Sequence, residues 1–83
     1  ATRHRLTAAS ERLAKLLACH GLDGGSGTAL FQWRPRADAA AIHSHLAKQG
    51  ILTRLFATPA GLRFGLPGAE SDWVRLDAAL ARL

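Results

Sequence analysis

One arginine stands inside an otherwise apolar run near the end of the chain, Leu62-Arg63-Phe64-Gly65-Leu66. Side chains alternate between the faces of a strand, so Leu62, Phe64 and Leu66 share one face while Arg63 and Gly65 share the other. A guanidinium on that second face brings a fixed positive charge and a planar fork of donors suited to a carboxylate or phosphate. Gly65 beside it leaves room for a ligand to approach the backbone. The spacing also accommodates a plainer role for Arg63, as an exposed strand residue or half of a structural ion pair. Arg54, delivered to the end of a short strand over residues 51–55, is a second candidate anion contact. Its alternative is a surface ion pair near a sheet edge.

The other chemistry-bearing residues do not assemble into a catalytic set. No Ser-His-Asp or Cys-His series has a recognisable context, no carboxylates are paired for acid–base work, and there is no P-loop or dinucleotide fingerprint. His43 and His45 are two apart, so on a helix they point about 200° apart and cannot chelate one metal; both are expected in solvent, and no metal site is expected. Cys19, the single cysteine, excludes an internal disulfide. It fits a reducing cytoplasm and is expected as a small buried hydrophobe.

Three helical and three strand-like segments must position these residues. From Thr2 to His20 the spacing of Leu6, Ala9, Leu13, Leu16 and Leu17 predicts an amphipathic helix, with Glu11 and Lys15 placed to pair and Gly21 as its stop. Residues 21–27, with four glycines, predict a turn and no regular element; neither Lys-Ser nor Lys-Thr follows, so it is not a phosphate loop. Thr28 to Arg34 alternates, Ala29, Phe31 and Trp33 against Leu30, Gln32 and Arg34, and predicts a strand that Pro35 stops. Asp38 is placed to cap or precharge a helix with Ala39, Ile42 and Leu46 on its buried side, ended by Gly50. A turn around Pro59 and Gly61 precedes the Arg63 strand, and Pro67-Gly68 leads to a last helix with Glu70 and Asp72 at its positive end. Trp73, Leu76, Leu80 and Leu83 form its inner stripe. The order α-β-α-β-β-α predicts an α+β two-layer sandwich, a small mainly antiparallel sheet with helices on one face. The other face then needs a partner.

The ordered series Gly50-Ile51-Leu52-Thr53-Arg54, then Pro59-Ala60-Gly61-Leu62-Arg63-Phe64-Gly65-Leu66-Pro67, then a helix with Trp73, Leu76 and Ala79-Leu80, resembles the C-terminal end of pyridoxal-phosphate enzymes of the aspartate-aminotransferase fold. It is most similar to the threonine-phosphate decarboxylases of cobalamin biosynthesis, with histidinol-phosphate aminotransferases next. The resemblance covers roughly residues 28–83, and the first helix fits what precedes that region in the family; the glycine-rich 21–27 departs from it, where relatives carry a more regular strand. It implies that residues 1–83 form one small C-terminal domain beside a large cofactor-binding domain, in a homodimeric parent enzyme. The resemblance places Arg63 on the arginine that grips the substrate's α-carboxylate and gives Arg54 a role either toward the substrate's phosphate or in stabilising the site. The Schiff-base lysine of such enzymes lies in the large domain. Lys15 and Lys48 stand outside its context, so the chain is expected to bind substrate without catalysing by itself. Decarboxylase and aminotransferase are not separated here, because the distinction is how the bound carboxylate is oriented relative to the cofactor ring.

A chain of 83 residues allows one domain, and a domain this small buries only about 60% of the surface its unfolded chain exposes. It starts at Ala1 and contains no Met, which suggests a fragment of a longer protein. No apolar run is long enough for a membrane span. Eleven Lys and Arg against six Asp and Glu give a net charge of +5, which raises nucleic acid as a partner. The basic residues are scattered, Arg3, Arg5, Arg12 and Lys15 on the first helix and the rest singly, and the aromatic residues Phe31, Trp33, Phe56, Phe64 and Trp73 are expected in a core. No nucleic-acid partner is therefore expected. Two other classes stay open: a free-standing basic module for small anions or nucleic acid, and a structural assembly domain whose uncovered sheet face is an interface.

Overall fold

The leucines that recur at helical spacing are the ones that become core. Leu13 and Leu17, one turn apart, are fully buried, and with Ile42, Leu46, Trp73, Leu76 and Leu80 they close over Leu62 and Phe64. The computed structural model describes residues 2–83, with side chains from residue 7 onward; the side chains of Arg3, Arg5 and Leu6 lie outside the described residues. Its elements are α1 (Thr2–Cys19), β1 (Ser26–Gly27), β2 (Phe31–Pro35), α2 (Ala39–Lys48), β3 (Arg54–Ala57), β4 (Ala60–Gly65) and α3 (Glu70–Leu80). The strands form one antiparallel sheet in the order β1-β2-β4-β3, and the helices cover one face of it. The α+β two-layer arrangement is as expected. The sheet has one strand more.

That strand, β1, arises inside the glycine-rich segment expected to be only a turn. Ser26 and Gly27 pair with Trp33 and Gln32, and residues 28–30 make the reversal, with the Leu30 N–H donating to Thr28 Oγ1 at 3.1 Å. Two buried polar side chains of β2 explain why the segment closes here. The Arg34 Nε–H donates to the Leu22 carbonyl at 2.6 Å, and its Nη1 donates to the Trp33 carbonyl at 2.8 Å and the Ser26 carbonyl at 3.4 Å. The loop wraps a cation, and its carbonyls take the place of water. Gly25 has φ of +92°, and a Cβ there would stand 2.2 Å from the Trp33 carbonyl oxygen, so no other residue fits that close turn. Beside it, Gln32 Nε2 donates to Ser10 Oγ at 2.7 Å, and the Ser10 hydroxyl donates to the Thr28 carbonyl, tying α1 to the hairpin.

The other joints are hydrogen bonds and ion pairs between elements. α1 and α2 both end on left-handed glycines with a following amide reaching back: Leu22 N–H to the Leu17 carbonyl at 2.8 Å, and Ile51 N–H to the Leu46 carbonyl at 2.9 Å. Arg12 of α1 grips Glu70 of α3 through both nitrogens, at 2.6 and 2.9 Å, with its guanidinium 4.2 Å from the Trp73 ring centre. His20 meets Asp77 at 2.7 Å.

Several expectations are corrected here. Asp38 does not cap α2, because its carboxylate is spent on Arg36 at 2.9 and 3.0 Å. His43 and His45 are half-buried and bonded rather than free in solvent. His43 Nδ1 lies 2.8 Å from Thr53 Oγ1, and His45 Nε2 lies 2.8 Å from the Ala79 carbonyl. Cys19 is exposed, because the last turn of α1 points it away from the sheet. Leu83 lies beyond the end of α3 and is exposed. β3 begins at Arg54 instead of ending there, since residues 51–53 leave α2 as an unpaired stretch before the ladder starts. No ion pair joins Glu11 to Lys15 among the described residues.

Two predictions follow from these joints. Burial lowers the pKa of Arg34, against only a weak pull from Asp23, so the carbonyls carry the stabilisation. Arg34→Ala should cost about 2–4 kcal/mol in urea unfolding, because it leaves three carbonyls without their charged donor; Arg34→Lys should recover little of it. The Arg12 hydrogen bond holds the Glu70 carboxyl below its ordinary range. A carboxylate with a depressed folded-state pKa contributes stability above its unfolded pKa, which is lost as pH falls through the lower folded value. Glu70→Gln should therefore flatten the loss of stability below about pH 4, and high salt should shrink the difference between the two proteins.

Candidate anion-binding site

Burying Gln32 and Arg34 fixes the orientation of β2, and with it the composition of the sheet's outer face. Side chains alternate, so Phe31 and Trp33 point away from the helices. The register places Trp33 opposite Arg63 and Phe31 opposite Gly65, while on the far side of β4 Arg54 stands opposite Arg63 and Phe56 opposite Gly61. The outer face thus holds three aromatic rings and two guanidiniums on three adjacent strands.

Arg63 lies where its strand position predicts, on the face opposite Leu62 and Phe64, which are buried. Its guanidinium carbon is 4.8 Å from the centre of the Phe31 ring and 6.0 Å from that of Phe56; Arg54 is 5.4 Å from the same Phe56 ring. Phe56 and Trp33 pack at right angles, with centroids 5.3 Å apart and planes at 89°. The ring of Trp33 lies against Gly61, where a Cβ would stand 2.3 Å from it. At Gly65 a Cβ would touch nothing within 4 Å, so the surface beside Arg63 is open.

Neither Arg54 nor Arg63 forms an ion pair among the described residues, where the pairs are Arg12–Glu70, His20–Asp77 and Arg36–Asp38. Like charges directly opposite on neighbouring strands are destabilising, so this register places two cations together with only aromatic faces to hold them. Such an arrangement attracts an anion with more than one oxygen, by charge and by the planar donor forks. The spacing argument saw the arginines and missed the rings. Phe31, Trp33 and Phe56 were expected in the core, and only Phe64 and Trp73 of the five aromatic residues are there. The available signal was on β4: Gly61 and Gly65, two positions either side of Arg63, leave space for side chains from the flanking strands to lie across that face.

A cleft of about 250 Å³ opens elsewhere, where residues 50–53 diverge from the end of β4, lined by Ile51, Thr53, Gly65, Leu66 and Arg75 among others. It contains neither Arg54 nor Arg63. The two-guanidinium face is defined by its register and charge and lies apart from that cleft.

No protein-family model matches the chain. It is 55% identical over 76 residues to threonine-phosphate decarboxylase from Pseudomonas aeruginosa, a match covering 92% of this chain and 23% of that protein. The chain therefore spans less than a quarter of the length of the relative it matches. No helix among the described residues is long and apolar enough to cross a membrane.

The fit of Trp33 on Gly61 yields a prediction. Gly61→Ala should force the ring off β4 at a cost of about 1–3 kcal/mol, with a changed near-ultraviolet circular dichroism spectrum. Gly65→Ala should leave both stability and spectrum close to those of the parent, within about 0.5 kcal/mol.

Proposed function

We propose that this chain is the substrate-carboxylate-binding C-terminal domain of a pyridoxal-phosphate-dependent threonine-phosphate decarboxylase acting in cobalamin biosynthesis, or of a closely related aminotransferase. The observation that carries the reading is the opposed pair Arg54 and Arg63, without carboxylate partners, on the face left bare by the helices. The likeness to threonine-phosphate decarboxylase names a substrate with the matching groups. Threonine phosphate carries a carboxylate and a phosphate, and this face carries two guanidiniums. Arg63 takes the carboxylate through a bidentate charge-assisted pair that orients the amino acid; Arg54 meets the phosphate.

The cofactor implied by this reading supplies the electron sink that makes loss of carbon dioxide possible. This chain's residues do not fit its attachment. Lys15 and Lys48 are exposed and lie on α1 and α2, in the layer opposite Arg54 and Arg63, so neither converges on the arginine pair. Schiff-base chemistry therefore belongs to a large domain outside these residues, which would also cover the outer sheet face. The chain supplies binding and orientation.

Arg63→Ala should change the stability of the chain by no more than about 1 kcal/mol, since the side chain is outside the core. In the complete enzyme the same change should cost about 2–5 kcal/mol in kcat/KM for threonine phosphate, and Arg63→Lys should recover little, because an ammonium cannot reproduce the fork. Near-parental kcat/KM in the Ala variant would return Arg63 to a structural role. Incubated alone with pyridoxal phosphate, the chain should give no stoichiometric adduct that borohydride can trap at Lys15 or Lys48; such an adduct would overturn the division of labour.

A further inference from the structure

The two guanidiniums share a neighbour that is not an acid. Phe56 lies 5.4 Å from the Arg54 guanidinium and 6.0 Å from that of Arg63, and it is the ring common to both. An arginine side chain without an ion pair has many rotamers of similar energy, and freezing them on binding costs affinity. A ring that attracts the guanidinium's face leaves its N–H edge directed outward.

We propose that Phe56 is a positioning residue, holding both guanidiniums in the orientation from which they bind a phosphate- and carboxylate-bearing ligand. The inference rests on the anion-binding reading of Arg54 and Arg63. Phe56 is itself placed by two constraints. Trp33 packs at right angles against it, and Trp33 is held in place over Gly61, the residue of β4 directly opposite Phe56. Phe31, nearer to Arg63 at 4.8 Å and not in contact range of Arg54, supports one guanidinium only. The arrangement gives a distinctive pattern: loss of the Phe56 ring disturbs both arginines, and loss of the Phe31 ring disturbs Arg63 alone. Phe56 is outside the buried core cluster, so replacing it leaves the helix–sheet packing intact.

The test is nuclear magnetic resonance of the arginine Nε–Hε groups in the whole 83-residue chain, titrated with O-phospho-L-threonine at low salt. In the parent, both Arg54 and Arg63 signals should be displaced by the aromatic ring currents and should move saturably with ligand. Phe56→Leu should remove the displacement of Arg54, change that of Arg63, which keeps its Phe31 contact, and raise Kd about threefold, the size of an exposed cation–π contact, while Phe56→Tyr retains the parental Kd. Phe31→Leu should alter the Arg63 signal and leave that of Arg54 in place. An unchanged Kd in Phe56→Leu, with the parent still binding, would overturn the positioning role and leave the anion reading standing. Absence of any saturable movement in the parent would remove the anion reading itself, and this inference with it. Should Phe56→Leu fail to fold, the parent decides: arginine signals at unfolded-chain positions would show that no ring holds them.

Discussion

A guanidinium buried without a carboxylate decides which way β2 faces. Arg34 is only 5% exposed, and what it has in place of water is the carbonyls of Leu22, Trp33 and Ser26. A strand has two faces and a period of two, so a single residue committed inward commits all its alternate neighbours and sends the others out. Gln32, hydrogen-bonded to Ser10 of α1, makes the same commitment from two positions away. Against these two stand Phe31 and Trp33, whose burial under the helices would have been favoured by area alone. The polar pair prevails because its partners are built in: a glycine-rich loop that can turn its carbonyls onto a cation, and a serine at the matching turn of α1.

The consequence reaches across the sheet. With aromatic rings outward on β2 and β3, the arginines of β3 and β4 have surfaces to lie against, and the outer face becomes a layer of rings and cations rather than an even mix of charges. The core needs none of these residues; its cluster draws on α1, Leu22 in the loop after it, α2, α3 and the inner side of β4. Core packing and the arginine without an ion pair therefore fall on opposite faces of the same strand. Leu62 and Phe64 hold β4 to the helices, while Arg63 between them is left to meet something outside.

The core and the Arg63 face were legible in the sequence because both are local patterns. Leu13 with Leu17, Ile42 with Leu46, and Leu62 with Phe64 follow helix or strand periods that no distant contact overrides. Orientation of β2 was not legible, because Ala29, Phe31 and Trp33 form the more apolar side and the residues that reverse it lie 8 to 22 positions away in the chain. The same holds for His45, whose bond to the Ala79 carbonyl spans 34 positions. Where one apolar side competes with one polar side, the outcome depends on whether the polar side has partners, and partners are a property of the fold. β1 was missed for a related reason: two residues beside glycines carry no propensity, and they pair because Arg34 and Gln32 draw the loop down onto β2.

Outward aromatic residues on a basic sheet also bear on the choice of ligand. Phe31, Trp33 and Phe56, expected in the core, stand outside it, so their burial does not exclude a base-stacking surface. Base stacking needs an open ring face, and here the Phe31 ring is met by Arg63 and the Phe56 ring by both Arg54 and Arg63, while Trp33 is packed onto Gly61 and stands at right angles to Phe56. These rings already lie against guanidiniums. The donor edge of each guanidinium is suited to oxygens rather than to a base. Under the proposed function, a compact ligand with two acidic groups would meet both edges at once. On the proposed reading the sheet face takes a small dianionic molecule, and the rings support its two contacts from beneath.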